Sequence, residues 1–230
     1  MKTYNIYVNR NDLSTNSRNI NDHLYETIIF DNIQNEQKIK KLLKQSLNKF
    51  FERLNIKYGS HILIVGIGNR EHTADSVGPR TINHIKVNSY FENIGIKKNG
   101  TIVSSIIPSV FEKTGIITTK IIKSICKDIK PDFVILIDSM ITNNIDLLNK
   151  SIEINDKGII SAGGIFKNQS EISKETLDIN VLAIGVTTAI ETSFNKSSLE
   201  YFLSTKNVDN YVIEISRIIG EVLNEIIYDL

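Results

Sequence analysis

The chain is poor in the features that settle a protein's class at a glance. It has one cysteine, Cys126, in 230 residues, which excludes an intramolecular disulfide framework and any multi-cysteine zinc site and suits a reducing compartment. Neither charge is in real excess, with 27 Lys plus Arg against 26 Asp plus Glu. The whole chain therefore offers no strong counterion-release drive toward nucleic acid, and no direct nucleic-acid partner is expected. Long apolar runs are missing: Ile62 to Ile67 and Phe133 to Ile137 fall far short of the roughly 20 residues of a membrane span. The amino terminus lacks the apolar core of a secretion signal. A soluble, intracellular protein without membrane contact is expected. Internal repeats and low-complexity linkers are absent as well. The length allows a substantial core, and a single domain over residues 1–230 is expected, with 1–34 a polar, poorly defined segment holding one strand-like piece from Glu26 to Phe30.

Hydrophobic periodicity is what the chain does have. Ile39, Leu42, Leu43, Leu47, Phe50, Phe51 and Leu54 fall at helical spacing with lysines between them, which predicts an amphipathic helix lying on a sheet. A strand from Ile62 to Ile67 follows, then a helix beginning at Asp75 and continuing through Ile82, Ile85 and Tyr90. Alternation continues with a strand from Thr101 to Ile107, a helix from Thr118 to Ile129, and a strand from Phe133 to Ile137 closed off by Asp138. A strand from Ser151 to Ile154, a Gly-rich loop from Asp156 to Ser173, a strand from Val181 to Val186 and a last helix from Val208 to Ile227 complete the series. Strands alternating with helices predict an α/β fold, a three-layer sandwich with a mainly parallel sheet.

Two acids stand out within that pattern. Asp75 follows one buried strand and Asp138 ends another, and the carboxyl ends of parallel strands are where ligands and catalytic groups gather in open α/β sheets. Taken alone, Asp75 reads equally well as a helix cap and Asp138 as a strand-end turn residue. Taken together they can share a proton, one acting as base toward water and the other as acid toward a leaving group, because like charges push their pKa values apart. Which is base and which is acid is not legible, since such a pair titrates as a unit.

Other chemistries lack their signatures. Gly66-Ile-Gly-Asn-Arg-Glu71 begins like a dinucleotide fingerprint, but Glu71 stands at the third glycine position and no Lys-Ser or Lys-Thr pair marks a P-loop. Gly66 and Gly68 then serve a tight turn, or let a substrate backbone come close. Neither Ser139 nor Ser193 sits in a nucleophile elbow, and Cys126, beside apolar Ile125, reads as a buried structural thiol. His72 alone among the histidines lies near the Gly-rich loop. With Asp75 and Asp138 it would make a zinc-type donor set with an open position for water. No His-Glu-x-x-His signature supports that alternative, and no metal or other cofactor is expected.

Several of these segments, in order, resemble the germination proteases of spore-forming bacteria, atypical aspartic endopeptidases. The similarity runs through Leu54-Asn-Ile56, Gly66-Ile-Gly-Asn69, Asp75-Ser-Val-Gly-Pro79, Val103-Ser-Ser-Ile-Ile-Pro108 and Thr114-Gly-Ile116. It continues through Pro131 to Asp138, Ser151-Ile-Glu-Ile154 with Gly158-Ile159, Ile172-Ser173, Glu175-Thr-Leu177 and Leu182-Ala-Ile-Gly-Val186, and the closing helix is similar too. The resemblance implies the fold of the hydrogenase maturation proteases, whose equivalent acids bind metal. It places Asp75 and Asp138 where the family has its catalytic aspartates, with small acid-soluble spore proteins as substrates in the cytoplasm of the forespore or spore core. A homo-oligomer, a tetramer in the family, is implied as well. Gly66, Gly68 and Asn69 would shape the site, and Arg70 and Lys167 would favour an acidic residue near the cut.

The chain also departs from the family. A glycine- and basic-rich strand segment before the first amphipathic helix is missing, as is a long insertion before the last helix, and the Gly-rich loop reads Ser161-Ala-Gly-Gly-Ile-Phe-Lys-Asn168. Arg10-Asn-Asp-Leu13 is similar to the family's Arg-Thr-Asp-Leu near the zymogen processing point, without the acidic cleavage sequence after it. A metal-dependent maturation-type protease and a catalytically silent, spore-protein-binding paralogue are the alternatives.

Overall fold

The computed structural model describes residues 14–95, 100–160, 171–192 and 201–229; Arg10 to Leu13 and Lys167 lie outside them. The described chain opens on a hairpin of strands β1 (Ser14–Ile20) and β2 (His23–Ile29), where the sequence pattern predicts only the piece from Glu26 to Phe30. The two-residue turn, Asn21 and Asp22, takes positive φ at both positions, 50° and 66°, the geometry that matches the twist of paired strands. Periodicity misses β1 because it is a polar edge strand, rich in Asn and Ser and with no buried position; charged or polar edges are how sheets avoid further pairing. Asp156 pins the hairpin, accepting from Leu24 N at 2.9 Å and from Arg53 Nε at 2.6 Å.

Helix α1 (Glu36–Leu54) buries Ile39, Leu43, Leu47, Phe50 and Phe51, the stripe its spacing predicts. Then come β3 (His61–Gly66), a 3-10 turn (Thr73–Asp75), α2 (Val77–Ile82), α3 (Tyr90–Asn93), β4 (Ile102–Ile106), α4 (Phe111–Thr114), α5 (Thr118–Ile129) and β5 (Phe133–Thr142). The remainder is β6 (Ser151–Asn155), β7 (Ile159–Ile160), β8 (Glu171–Ile172), α6 (Lys174–Leu177), β9 (Asn180–Thr192), β10 (Tyr201–Leu203) and α7 (Val208–Tyr228).

Seven strands line up in the order β1-β2-β6-β9-β5-β3-β4, with β10 pairing on β9. The strands β4, β3, β5 and β9 run parallel to one another. Strands β6, β2 and β1 extend that parallel part antiparallel. The fold is thus α/β with a mixed central sheet between helices. Ile62 and Ile64 of β3 and Ile135 and Ile137 of β5 pack toward α1 and α7, while Leu63, Val65, Val134 and Leu136 pack toward α5 and α6. Alternate side chains feed opposite layers, so both strands read as unbroken apolar runs.

Three expectations need correction. Asp75 does not begin a long helix: it closes the 3-10 turn, α2 stops at Ile82, and Tyr90 begins a separate short helix. Asn224 of α7 diverts the chain there, donating to His84 O at 2.7 Å and accepting from Lys86 N at 2.8 Å. Asp138 does not end its strand, because β5 continues to Thr142 beside an equally extended β9. The loop from Asp156 to Ser173 is not wholly irregular, since β7 and β8 pair within it.

Glycine governs how α2 seats on the sheet. A Cβ on Gly78 would lie 2.3 Å from Ile67 O and 2.4 Å from Ile137 O, and one on Gly66 would lie 2.4 Å from Gly78 O. Gly78→Ala should therefore destabilise the protein by about 1–3 kcal/mol through overpacking, although alanine is favoured over glycine in a helix by about 1 kcal/mol. Urea unfolding measures it; unchanged or increased stability would contradict the close approach.

Candidate active site

After β3 the chain moves outward to β4 and then returns to β5 on the other side of β3. That reversal makes a topological switch point at the carboxyl ends of β3 and β5, the kind of place where open α/β sheets bind ligands. The loop after β3 fills one wall. Ile67 N donates to Ile137 O at 2.8 Å, prolonging the ladder, and Gly68 then adopts φ 123°. A side chain at Gly68 would meet Asp75 O at 2.1 Å. The glycine thus lets the loop fold back on itself: Asn69 N donates both to Asp75 O at 2.9 Å and to Asp75 Oδ2 at 2.8 Å.

Asp138 enters from β5, with its Oδ1 accepting from Ser139 N at 2.8 Å. Both aspartates are partly buried, and both hold their protons more tightly than an ordinary carboxyl. Burial pushes Asp75 up to about 6, with the charge of Glu112 adding to it and the Asn69 N–H and His72 opposing it. Burial likewise pushes Asp138 up to about 8, and the neighbouring Asp75 charge raises it further against the Ser139 N–H. The two carboxyls interact, so these values describe the pair.

The other residues singled out in the sequence take varied places. The space that side chains would need at Gly66 and Gly68 is filled by the chain's own backbone, which accounts for glycine at both positions. Asn69 is buried, its Oδ1 accepting from Glu71 N at 3.0 Å, so it shapes the loop from within. Arg70 is exposed on that loop, whereas Lys167 and Ser193 lie outside the described residues. His72 is exposed, near enough to lower the Asp75 pKa. Among the described residues no three His, Cys, Asp or Glu side chains gather into a metal-holding group. Cys126 is 4% exposed in α5, and burial raises its thiol pKa.

Two contributors escape a sequence reading. Glu112 of α4 reaches Asp75 electrostatically, and its neighbour Lys113 pairs with Glu71 of the loop; no local pattern announces a contact across 42 residues. Ser139 supplies the N–H to Asp138 while its Oγ accepts from Val77 N at 3.4 Å. A hollow of about 630 Å³ lined in part by Lys86, Phe91, Asn224 and Tyr228 contains neither aspartate. Asn224 and Tyr228 there bond the backbone of the turn after α2.

The pKa shifts carry a sign. A carboxyl held protonated by the fold stabilises the folded state below its unfolded value, near 3.8, and that contribution is lost as pH rises through the folded values of about 6 and about 8. Asp138→Asn cannot ionise. It should match the wild type in stability near pH 4 and exceed it by at least about 1 kcal/mol at about pH 9. Urea unfolding at both pH values decides; a gap that does not widen with pH would contradict a strained carboxylate.

The model of a known family, described as germination protease, matches residues 23–206. A germination protease of Geobacillus sp. (strain WCH70) is 34% identical over 75% of this chain and 47% of the relative. Those of Priestia megaterium (strain ATCC 12872 / QMB1551) and Bacillus mycoides (strain KBAB4) are 32% and 33% identical over 74% and 73% of the chain, again covering 47% of each relative. The chain thus spans about half the length of the curated relatives it matches. On these matches the chain belongs to the germination protease family.

Proposed function

We propose that the protein is an endopeptidase that cuts small acid-soluble spore proteins during germination, with Asp75 and Asp138 as its catalytic pair. The observation that carries this reading is the pair itself, two carboxyls at the sheet's switch point with values raised to about 6 and about 8. Between those values the pair holds one proton. The ionised partner of the pair takes a proton from water as the water oxygen attacks the scissile carbonyl carbon. The protonated partner gives its proton to the amide nitrogen as the C–N bond breaks, and exchange with solvent restores the starting state. No cofactor enters the scheme.

Family membership supports a peptidase, and the relatives' printed names support germination as its setting. We further read the sheet as that of the hydrogenase maturation proteases, the chain as one peptidase domain and as a homo-oligomer, and the spore cytoplasm as its place of work. No described helix is long and apolar enough to cross a membrane. Spore proteins that are loosely ordered off DNA would enter the site as extended segments with no unfolding cost. Exposed Arg70, together with Lys167, would favour an acidic residue near the cut.

Incubating the pure chain with a small acid-soluble spore protein, then mapping fragments by mass spectrometry, tests the proposal. Discrete fragments are expected from the wild type, unaffected by a strong chelator. Asp75→Asn and Asp138→Asn should each slow their formation by at least about 100-fold while remaining folded. Near-wild-type cutting by either variant would reject the pair, and chelator-sensitive cutting restored by zinc would transfer the chemistry to a metal. A folded wild type that cuts nothing would leave the silent binding paralogue.

A further inference from the structure

Strand β9 carries one residue too many where it passes the site. Met140 of β5 pairs with Thr187 and Ile141 pairs with Ala189, so Thr188 has no partner in the ladder and forms a β-bulge. Such bulges interrupt pairing and re-aim a side chain, and they recur beside active sites. Thr188 is buried, 1% exposed, and its Oγ1 donates to the carbonyl oxygen of Ala74 at 2.6 Å. Ala74 is the residue immediately before Asp75. From the outer side, Ser204 Oγ donates to Thr188 O at 2.5 Å and fixes the bulge itself.

The turn that presents Asp75 is therefore gripped from two strands. Thr188 of β9 holds it on the Ala74 side, and Ser139 of β5 accepts from Val77 N on the other. Within the turn, Asn69 N ties down both the carbonyl and the carboxylate of Asp75. Because Ser139 also donates its N–H to Asp138, both grips refer Asp75 to the strand pair that carries its partner. We propose that Thr188 is a positioning residue, bulged out of β9 so that its hydroxyl holds the Ala74 carbonyl and thereby sets the Asp75 carboxyl against Asp138. This rests on the reading of Asp75 and Asp138 as the catalytic pair. Threonine suits the task because a β-branched side chain is stiff at χ1, so its hydroxyl is aimed by the backbone that the bulge creates.

Hydroxyl and shape are separable. Thr188→Val keeps the branched volume and removes the donor, Thr188→Ala removes it without filling the space, and Thr188→Ser keeps it. In fragment-formation assays on a small acid-soluble spore protein, Val and Ala should each lower kcat about 10-fold or more with KM within about twofold. Ser should restore kcat to within about threefold of the wild type. A merely structural threonine would instead lower the thermal midpoint in Ser and Ala alike and leave kcat of the folded protein untouched, and that result overturns the proposal. A readout independent of turnover is amide exchange by NMR. The Asn69 N–H that holds Asp75 should exchange faster in Val and Ala but not in Ser, and unchanged exchange in the folded Val and Ala variants also overturns it. If the wild type cuts nothing, the catalytic reading fails on its own, and amide exchange still decides whether Thr188 holds the turn.

Discussion

Everything at this site depends on how closely α2 approaches the carboxyl ends of β3 and β5. Gly66 and Gly78 bring backbone against backbone, at distances that no side chain would permit. That contact fixes where the preceding 3-10 turn can lie, and with it Asp75. Gly68 performs the same service one step later, admitting Asp75 O into space that a Cβ would occupy. Small residues in this segment thus build a wall, and the wall carries the acid.

Seating an acid beside the sheet has an electrostatic consequence. Burial takes water away from two carboxyls and, among the described residues, each is offered one N–H in return, from Asn69 and from Ser139. Desolvation therefore outweighs hydrogen bonding at both, and the charge of one opposes ionisation of the other. A structural carboxylate in this chain looks different. Asp156 is also buried, yet it is met by Arg53, His23 and the Leu24 N–H, a full complement of donors for a group that only holds elements together. The contrast supports the proposed division between chemistry at Asp75 and Asp138 and scaffolding at Asp156.

Most of the architecture was legible because it rests on burial. The helical stripe of α1, the unbroken apolar runs of β3 and β5 and the periodic face of α7 each report a side buried in the core. Strand β1 was not legible, because it buries nothing and its place is fixed by a turn and by the partner strand β2. Nor was the end of α2, which Asn224 sets from 140 residues away. At the site, the two aspartates could be picked out by their positions after apolar runs. Glu112, Ser139 and Thr188 could not, since each acts through a contact made only once the sheet has formed.

The proposed mechanism needs one proton shared by the two aspartates, and site-resolved carbon NMR of their carboxyls measures it most directly. The wild type should show Asp75 and Asp138 titrating in coupled steps near 6 and near 8, and in Asp75→Asn the Asp138 step should move downward because the opposing charge is gone. Titration of both carboxyls near 3.8, with Asp138 indifferent to the substitution, would contradict it.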